Sequence, residues 1–151
     1  MLKYVDTKVV FAEVPDEVTL AINISNCPCH CDGCHSEYLA DDIGRTLNWD
    51  NLNAIIHINR GITCVAFMGG DIAPSEISHL ASKVKQMGLK TAWYSGRQEL
   101  PPNFKIADFD YIKIGPYIKE LGPLNKRTTN QRFYKIEQGN IMTDITSAFW
   151  K

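Results

Sequence analysis

Cys27, Cys29, Cys31 and Cys34 place four of the chain's five cysteines within eight residues of the stretch NCPCHCDGCHS. In a reducing compartment, cysteines clustered this tightly serve as metal ligands or catalysts far more often than as disulfides. Cys27, Cys31 and Cys34 form the pattern C-x3-C-x2-C, which lets one short loop offer three thiolates to one face of an iron–sulfur cubane and leaves Cys29 over. A 4Fe-4S cluster held by three thiolates keeps one iron open to another ligand, whereas an electron carrier fills all four positions with cysteine. Two plainer arrangements stay open at this point: a four-cysteine zinc site that includes Cys29, and a ferredoxin-like carrier. Zinc loops set two cysteine pairs apart so that a tetrahedron forms without strain, and the bacterial ferredoxin run is C-x2-C-x2-C, so neither matches this loop well. His30 and His35 stand in the same loop, where a histidine ligates metal, contacts a ligand or is simply solvated.

The second group is Gly69, Gly70 and Asp71, in the run FMGGD. Two glycines at a strand end permit close approach of the backbone to a ligand. Their carbonyls, with the Asp71 carboxylate, are suited to accept the three N–H donors of an ammonium group. The alternative is a glycine turn followed by an acid that caps a helix beginning near Pro74. Tyr94 and Ser95, in WYSG, add two hydroxyl donors near the same edge, or else a core aromatic followed by a turn.

These groups need a scaffold that brings them together. Val18–Ser25 reads as a strand that runs directly into the cysteine loop. Trp49, Leu52, Ile55 and Ile56 fall at helical spacing with Gly61 beyond, and ITCVAFM follows as a buried strand closed by Gly69 and Gly70. Pro74 suits a first helical position, Ile77, Leu80, Ala81, Val84 and Met87 form an apolar stripe, and Gly88 ends that helix. LKTAWYSG, DYIKIG from Asp110 and RFYKIE from Arg132 supply further strands, with LGPLNKRTTNQ a polar connection between the last two. Strands alternating with crossover helices predict an α/β domain spanning 1–151, with a largely parallel sheet whose ligands bind beyond the strands' carboxyl ends. The cysteine loop, the Gly69-Gly70-Asp71 run and Tyr94-Ser95 each follow a predicted strand, so all three are expected at one edge.

The rest of the chain narrows the function classes. A net charge of −1 argues against non-specific nucleic-acid or membrane binding. No window approaches the roughly 20 apolar residues of a membrane span, and residues 1–14 lack the basic and apolar regions of a signal peptide, so a cytoplasmic location is expected. Cys64 lies inside an apolar run and reads as a small core residue. His57 and His79 lie on predicted helices and carry no site signal. Lys119, Lys126, Arg127, Arg132 and Lys135 are interrupted by acids and apolar residues and read as a solvated surface that is also free to face a protein partner.

C-x3-C-x2-C after an early strand, GGD after a later one and a short α/β chain together resemble the radical S-adenosylmethionine superfamily. The likeness is greatest to its small members that activate anaerobic ribonucleotide reductase. CDGC stands where those have CPGC or a similar turn, and RTTNQR, Arg127 to Arg132, resembles their late GSSNQR-like segment. The resemblance spans about Val18 to Tyr134. It implies a single small domain, either an incomplete (β/α) barrel or an open curved sheet of five to six strands. It assigns a 4Fe-4S cluster to Cys27, Cys31 and Cys34, and S-adenosylmethionine to its open iron. It sets Gly33 and His35 beside the nucleoside and Gly69, Gly70 and Asp71 at the methionine ammonium. The implied chemistry is one-electron cleavage of the sulfonium to a 5'-deoxyadenosyl radical, which takes a hydrogen from a glycine of the large reductase subunit. The cofactor carries the hard step, so no acid–base constellation in the chain is needed. A flavodoxin or ferredoxin is the expected electron donor. Gly33 stands where the superfamily often has an aromatic residue, leaving the base to backbone or His35, and Ile114 precedes Gly115 where many relatives have an acid. Cys29 is expected not to be a ligand. The same radical chemistry on another glycyl-radical enzyme or a small molecule is the alternative activity.

Overall fold

The computed structural model describes residues 2–25, 42–138 and 140–150. The strands in chain order are β1 (Lys3–Val10), β2 (Thr19–Ile24), β3 (Arg45–Thr46), β4 (Cys64–Met68), β5 (Lys90–Tyr94), β6 (Tyr111–Ile114), β7 (Arg132–Glu137) and β8 (Ile141–Asp144). The helices are α1 (Trp49–Ile58) and α2 (Pro74–Gln86). All the strands join one sheet in the order β3-β1-β2-β4-β5-β6-β7-β8. Among the described residues the fold is therefore a mixed α/β single sheet. No described helix is long and apolar enough to cross a membrane.

The expected sheet of five to six largely parallel strands is corrected in both respects. The sheet has eight strands, and only β2-β4, β4-β5 and β5-β6 pair in parallel; β1-β2, β1-β3, β6-β7 and β7-β8 are antiparallel. The added strands lie at the two flanks and lack a buried face to mark them. In β1 charged and apolar residues share both faces, and none of its residues is fully buried. β8 has four residues, and β3 only two.

β2, β4, β5 and β6 lie side by side in the sheet in their order along the chain, so these strands are laid down in a single direction across it. Helices on crossovers of this kind fall on the same side. Leu52 and Ile56 of α1, and Ile77, Leu80, Ala81 and Val84 of α2, pack into one core with Leu20, Ile22, Val65, Phe67, Trp93 and Ile112 of the sheet. Between β5 and β6 a loop takes the place of a helix: Phe104 and Phe109 lie 4.9 and 6.0 Å from the Trp93 ring. Because side chains alternate along a strand, Cys64, Ala66, Ala92 and Tyr111 turn to the other face. There they meet Phe133 of β7 and are covered by Val14, Leu124 and Phe149 from loops and the C-terminal segment. Cover on both faces explains why these strands read as almost unbroken apolar runs.

The helix starts and the buried stripe Ile77, Leu80, Ala81 and Val84 agree with the structure, but Met87, expected in that stripe, follows α2 and is exposed, and Asn59, ahead of Gly61, ends α1. Asn48 caps α1, its side chain accepting the Asn51 amide at 2.9 Å, Pro74 opens α2, and Gly88 follows it with φ 84°. At the strands' N-terminal edge the Glu17 carboxylate accepts from Thr63 and Tyr111, each at 2.7 Å, with Lys90 3.5 Å away. Cys64 lies beside this group as a buried free thiol. Burial, reinforced by the Glu17 charge, pushes that thiol up from 9.0 to about 12. The unfolded thiol ionises first, so the stability its burial contributes is complete below about pH 9 and is lost as pH rises towards 12. Cys64 should stay unmodified by iodoacetamide at pH 8 in the native protein and react once urea unfolds it; mass spectrometry of the peptide carrying it checks this, and rapid native labelling would refute the burial.

Candidate functional site

The parallel pairing brings the carboxyl ends of β2, β4, β5 and β6 to one edge. β2 ends at Ile24, and Ser25 then donates through its amide to the Lys3 carbonyl at 3.0 Å and through its hydroxyl to the Ile43 carbonyl at 2.5 Å. Lys3 also pairs with Asp42 at 2.8 Å. Residues on either side of 26–41 thus meet beside the end of β2. Cys27, Cys29, Cys31 and Cys34, with His30, Gly33 and His35, lie outside the described residues; the structure establishes where their segment is anchored. Among the described residues no three His, Cys, Asp or Glu side chains converge as a metal site.

Gly69 and Gly70 sit against that anchor. Both have left-handed φ, 112° and 89°, where any other residue would be strained, and both are closely packed. A Cβ on Gly69 would lie 3.1 Å from the Ile24 carbonyl oxygen, and one on Gly70 would lie 2.5 Å from Ile77 Cδ1 of α2. Gly69 donates its amide to the Tyr94 carbonyl at 3.0 Å and accepts the Trp93 indole N–H at 2.7 Å. The Gly70 carbonyl accepts the Ala73 amide at 3.0 Å.

Asp71 does not cap α2. The residue at that position is Ala73, without a side-chain bond. Asp71 turns instead towards the end of β5, where it is 1% exposed. One carboxylate oxygen accepts the Ser95 hydroxyl at 2.5 Å and the other the Gly96 amide at 2.9 Å. Arg97 lies across it, Nε 3.8 Å from the carboxylate and Nη2 donating to the Asp71 carbonyl at 2.9 Å. A buried carboxylate is stable only when donors and a countercharge meet it in this way.

Tyr94 and Ser95, adjacent in sequence, go to different places. Ser95 joins Asp71, whereas Tyr94 projects from the opposite face to Trp93, as strand alternation requires. The Tyr94 hydroxyl donates to the Glu13 carbonyl, its ring meets Phe133 edge-on at 5.8 Å, and burial pushes its pKa far above that of an ordinary phenol. There it lines a cavity of about 490 Å³, together with Met68, Lys113, Tyr117, Gln131 and Phe149.

Two residues of this edge escaped sequence reasoning. Lys113, buried in β6, donates to the Ser95 carbonyl at 3.1 Å and the Gly115 carbonyl at 2.8 Å. A lysine inside the apolar run YIKIG was its available signal. Arg97 had none, because one arginine after a turn is indistinguishable from a solvated one. Replacing Ser95 with Ala removes the hydroxyl donor from a buried carboxylate, and urea denaturation should show a loss of about 1–3 kcal/mol; an unchanged midpoint would mean that Asp71 does not depend on it. Comparison of the chain with protein families, with curated proteins and with solved structures finds no match.

Proposed function

We propose that this chain is a radical S-adenosylmethionine activating enzyme that forms the glycyl radical of anaerobic ribonucleotide reductase. The observation that carries the reading is the contact of Gly69 with the last residue of β2: the Gly69-Gly70-Asp71 turn abuts the stem of the segment bearing Cys27, Cys31 and Cys34. Sequential parallel strands with both helices on one face also suit an incomplete barrel, in which that edge surrounds the ligand.

In this reading Cys27, Cys31 and Cys34 hold a 4Fe-4S cluster, and Cys29 does not. When bound, the cluster and S-adenosylmethionine supply the one-electron chemistry that ends in hydrogen abstraction. The chain's own residues bind and orient. The Gly69 and Gly70 carbonyls each accept one N–H already, and a carbonyl oxygen has a second acceptor position for a ligand ammonium. Asp71 adds negative charge beside them. Gly33 and His35 flank the nucleoside, and Ser95 acts through Asp71. The large reductase subunit is the partner, with a flavodoxin or ferredoxin as electron donor. The cavity beside Tyr94 favours, as a second reading, the same chemistry on a small-molecule substrate.

Electron paramagnetic resonance of the anaerobically reconstituted, dithionite-reduced protein tests this. A reduced 4Fe-4S signal that changes on adding S-adenosylmethionine, with 5'-deoxyadenosine formed, is the expected result. A signal indifferent to the ligand, or zinc alone, leaves a structural or electron-carrying module. Cys29→Ser should retain full cluster iron, whereas serine at Cys27, Cys31 or Cys34 should abolish the signal; loss of iron from the Cys29 variant would make it a ligand.

A further inference from the structure

We propose that Arg97 is a positioning residue of this edge, setting the Gly69-Gly70-Asp71 turn from the neighbouring strand ends without touching the ligand. The inference rests on the reading that this turn receives the ammonium group of S-adenosylmethionine.

Arg97 joins three consecutive strand ends. Its amide donates to the Ser95 hydroxyl at 3.1 Å, after β5, and its carbonyl accepts the Gly115 amide at 2.6 Å, after β6. Its guanidinium reaches the turn after β4, where Nη2 bonds the Asp71 carbonyl while Nε faces the carboxylate. The Arg97 side chain is 47% exposed and that of Asp71 is 1% exposed, so a surface group is holding a buried one. An exposed ion pair alone contributes little. Here the planar guanidinium also grips the backbone of Asp71, and a lysine, with a single nitrogen, cannot reproduce both contacts.

The two glycines make that grip consequential. With left-handed φ and no Cβ, Gly69 and Gly70 restrict their own carbonyl directions less than any other residue would. Those directions are set by the Trp93 indole at the Gly69 carbonyl, by the Ala73 amide at the Gly70 carbonyl, and by what holds the turn where it continues into Asp71. Ser95, Gly96 and Arg97 hold Asp71, so a loosened Arg97 misdirects the carbonyls and leaves the cysteine segment untouched.

The test uses full-length protein, reconstituted anaerobically, as wild type, Arg97→Ala, Arg97→Lys, Asp71→Asn and the double variant Asp71→Asn with Arg97→Ala. Iron content and S-adenosylmethionine Kd are measured for each, the latter from the change in the reduced cluster signal. Hydrogen exchange at the Gly96 amide is followed without any cofactor. Arg97→Ala should weaken binding roughly tenfold to a hundredfold with iron content unchanged. Arg97→Lys should fall between it and the wild type, and supplies the test if the alanine protein does not fold. Adding Arg97→Ala to Asp71→Asn should weaken binding by much less than it does alone. The Gly96 amide should exchange faster in cofactor-free Arg97→Ala. Wild-type affinity in both Arg97 variants, full additivity with Asp71→Asn, or a parallel loss of iron would each overturn the inference while the proposed function stands. Unchanged Gly96 exchange would overturn it without reference to any ligand. A wild type that loads its cluster yet fails to bind S-adenosylmethionine would overturn the proposed function, and the inference with it.

Discussion

Parallel pairing of β2, β4, β5 and β6 is the constraint on which the rest of the molecule depends. Its registers align Ile22, Phe67, Trp93 and Ile112 in one row across the sheet, each fully buried. That row anchors α2 and the aromatic loop on one face. One residue further along, Asn23, Met68, Tyr94 and Lys113 form the next row, facing the other way. Met68, Tyr94 and Lys113 of this second row form one wall of the cavity. Two adjacent registers thus separate the face packed by the helices from the face that holds the cavity.

The same pairing makes the carboxyl edge crowded. The chain must turn sharply after β4 while remaining against Ile24 on one side and Ile77 on the other, and the left-handed φ at both positions favours glycine. The cost of two unrestrained residues is offset by a network that fixes the turn from outside. Trp93 holds the Gly69 carbonyl from within the core, and Ser95, Gly96 and Arg97 hold Asp71 from the end of β5. Lys113 then ties the ends of β5 and β6 through two backbone carbonyls. The edge is flexible in its residue types and rigid in its hydrogen bonds, a combination suited to presenting backbone carbonyls to a ligand.

Much of this was legible before any coordinates. The central strands and both helices stood out because burial imposes a period of two or of 3.6 on their apolar residues, and Pro74, Gly88 and the glycine pair mark ends that only those residue types form readily. β1 and β8 were not legible because neither has a buried face to impose that period: β1 mixes charged and apolar residues on both sides, and β8 is four residues long. Tyr94 and Ser95 could be placed at the edge from the sequence, but not on opposite faces with different partners. Asp71 was legible as an important acid, while its capture by the β5 loop was not.

The sequence alone determined the order of the parallel units, most of the residues whose side chains enter the core, and the arrival of the Gly69-Gly70-Asp71 turn and of Ser95 at the edge where β2 ends. Each of these follows from local periodicity and from the direction of the chain. Only the tertiary structure decided that the Gly69-Gly70-Asp71 turn touches the stem of the cysteine segment, that Asp71 is held by Ser95, Gly96 and Arg97, and that Lys113 is buried beside them. Those contacts join residues about 18 to 45 positions apart, across strands whose register no local pattern encodes, so they exist only once the sheet has formed.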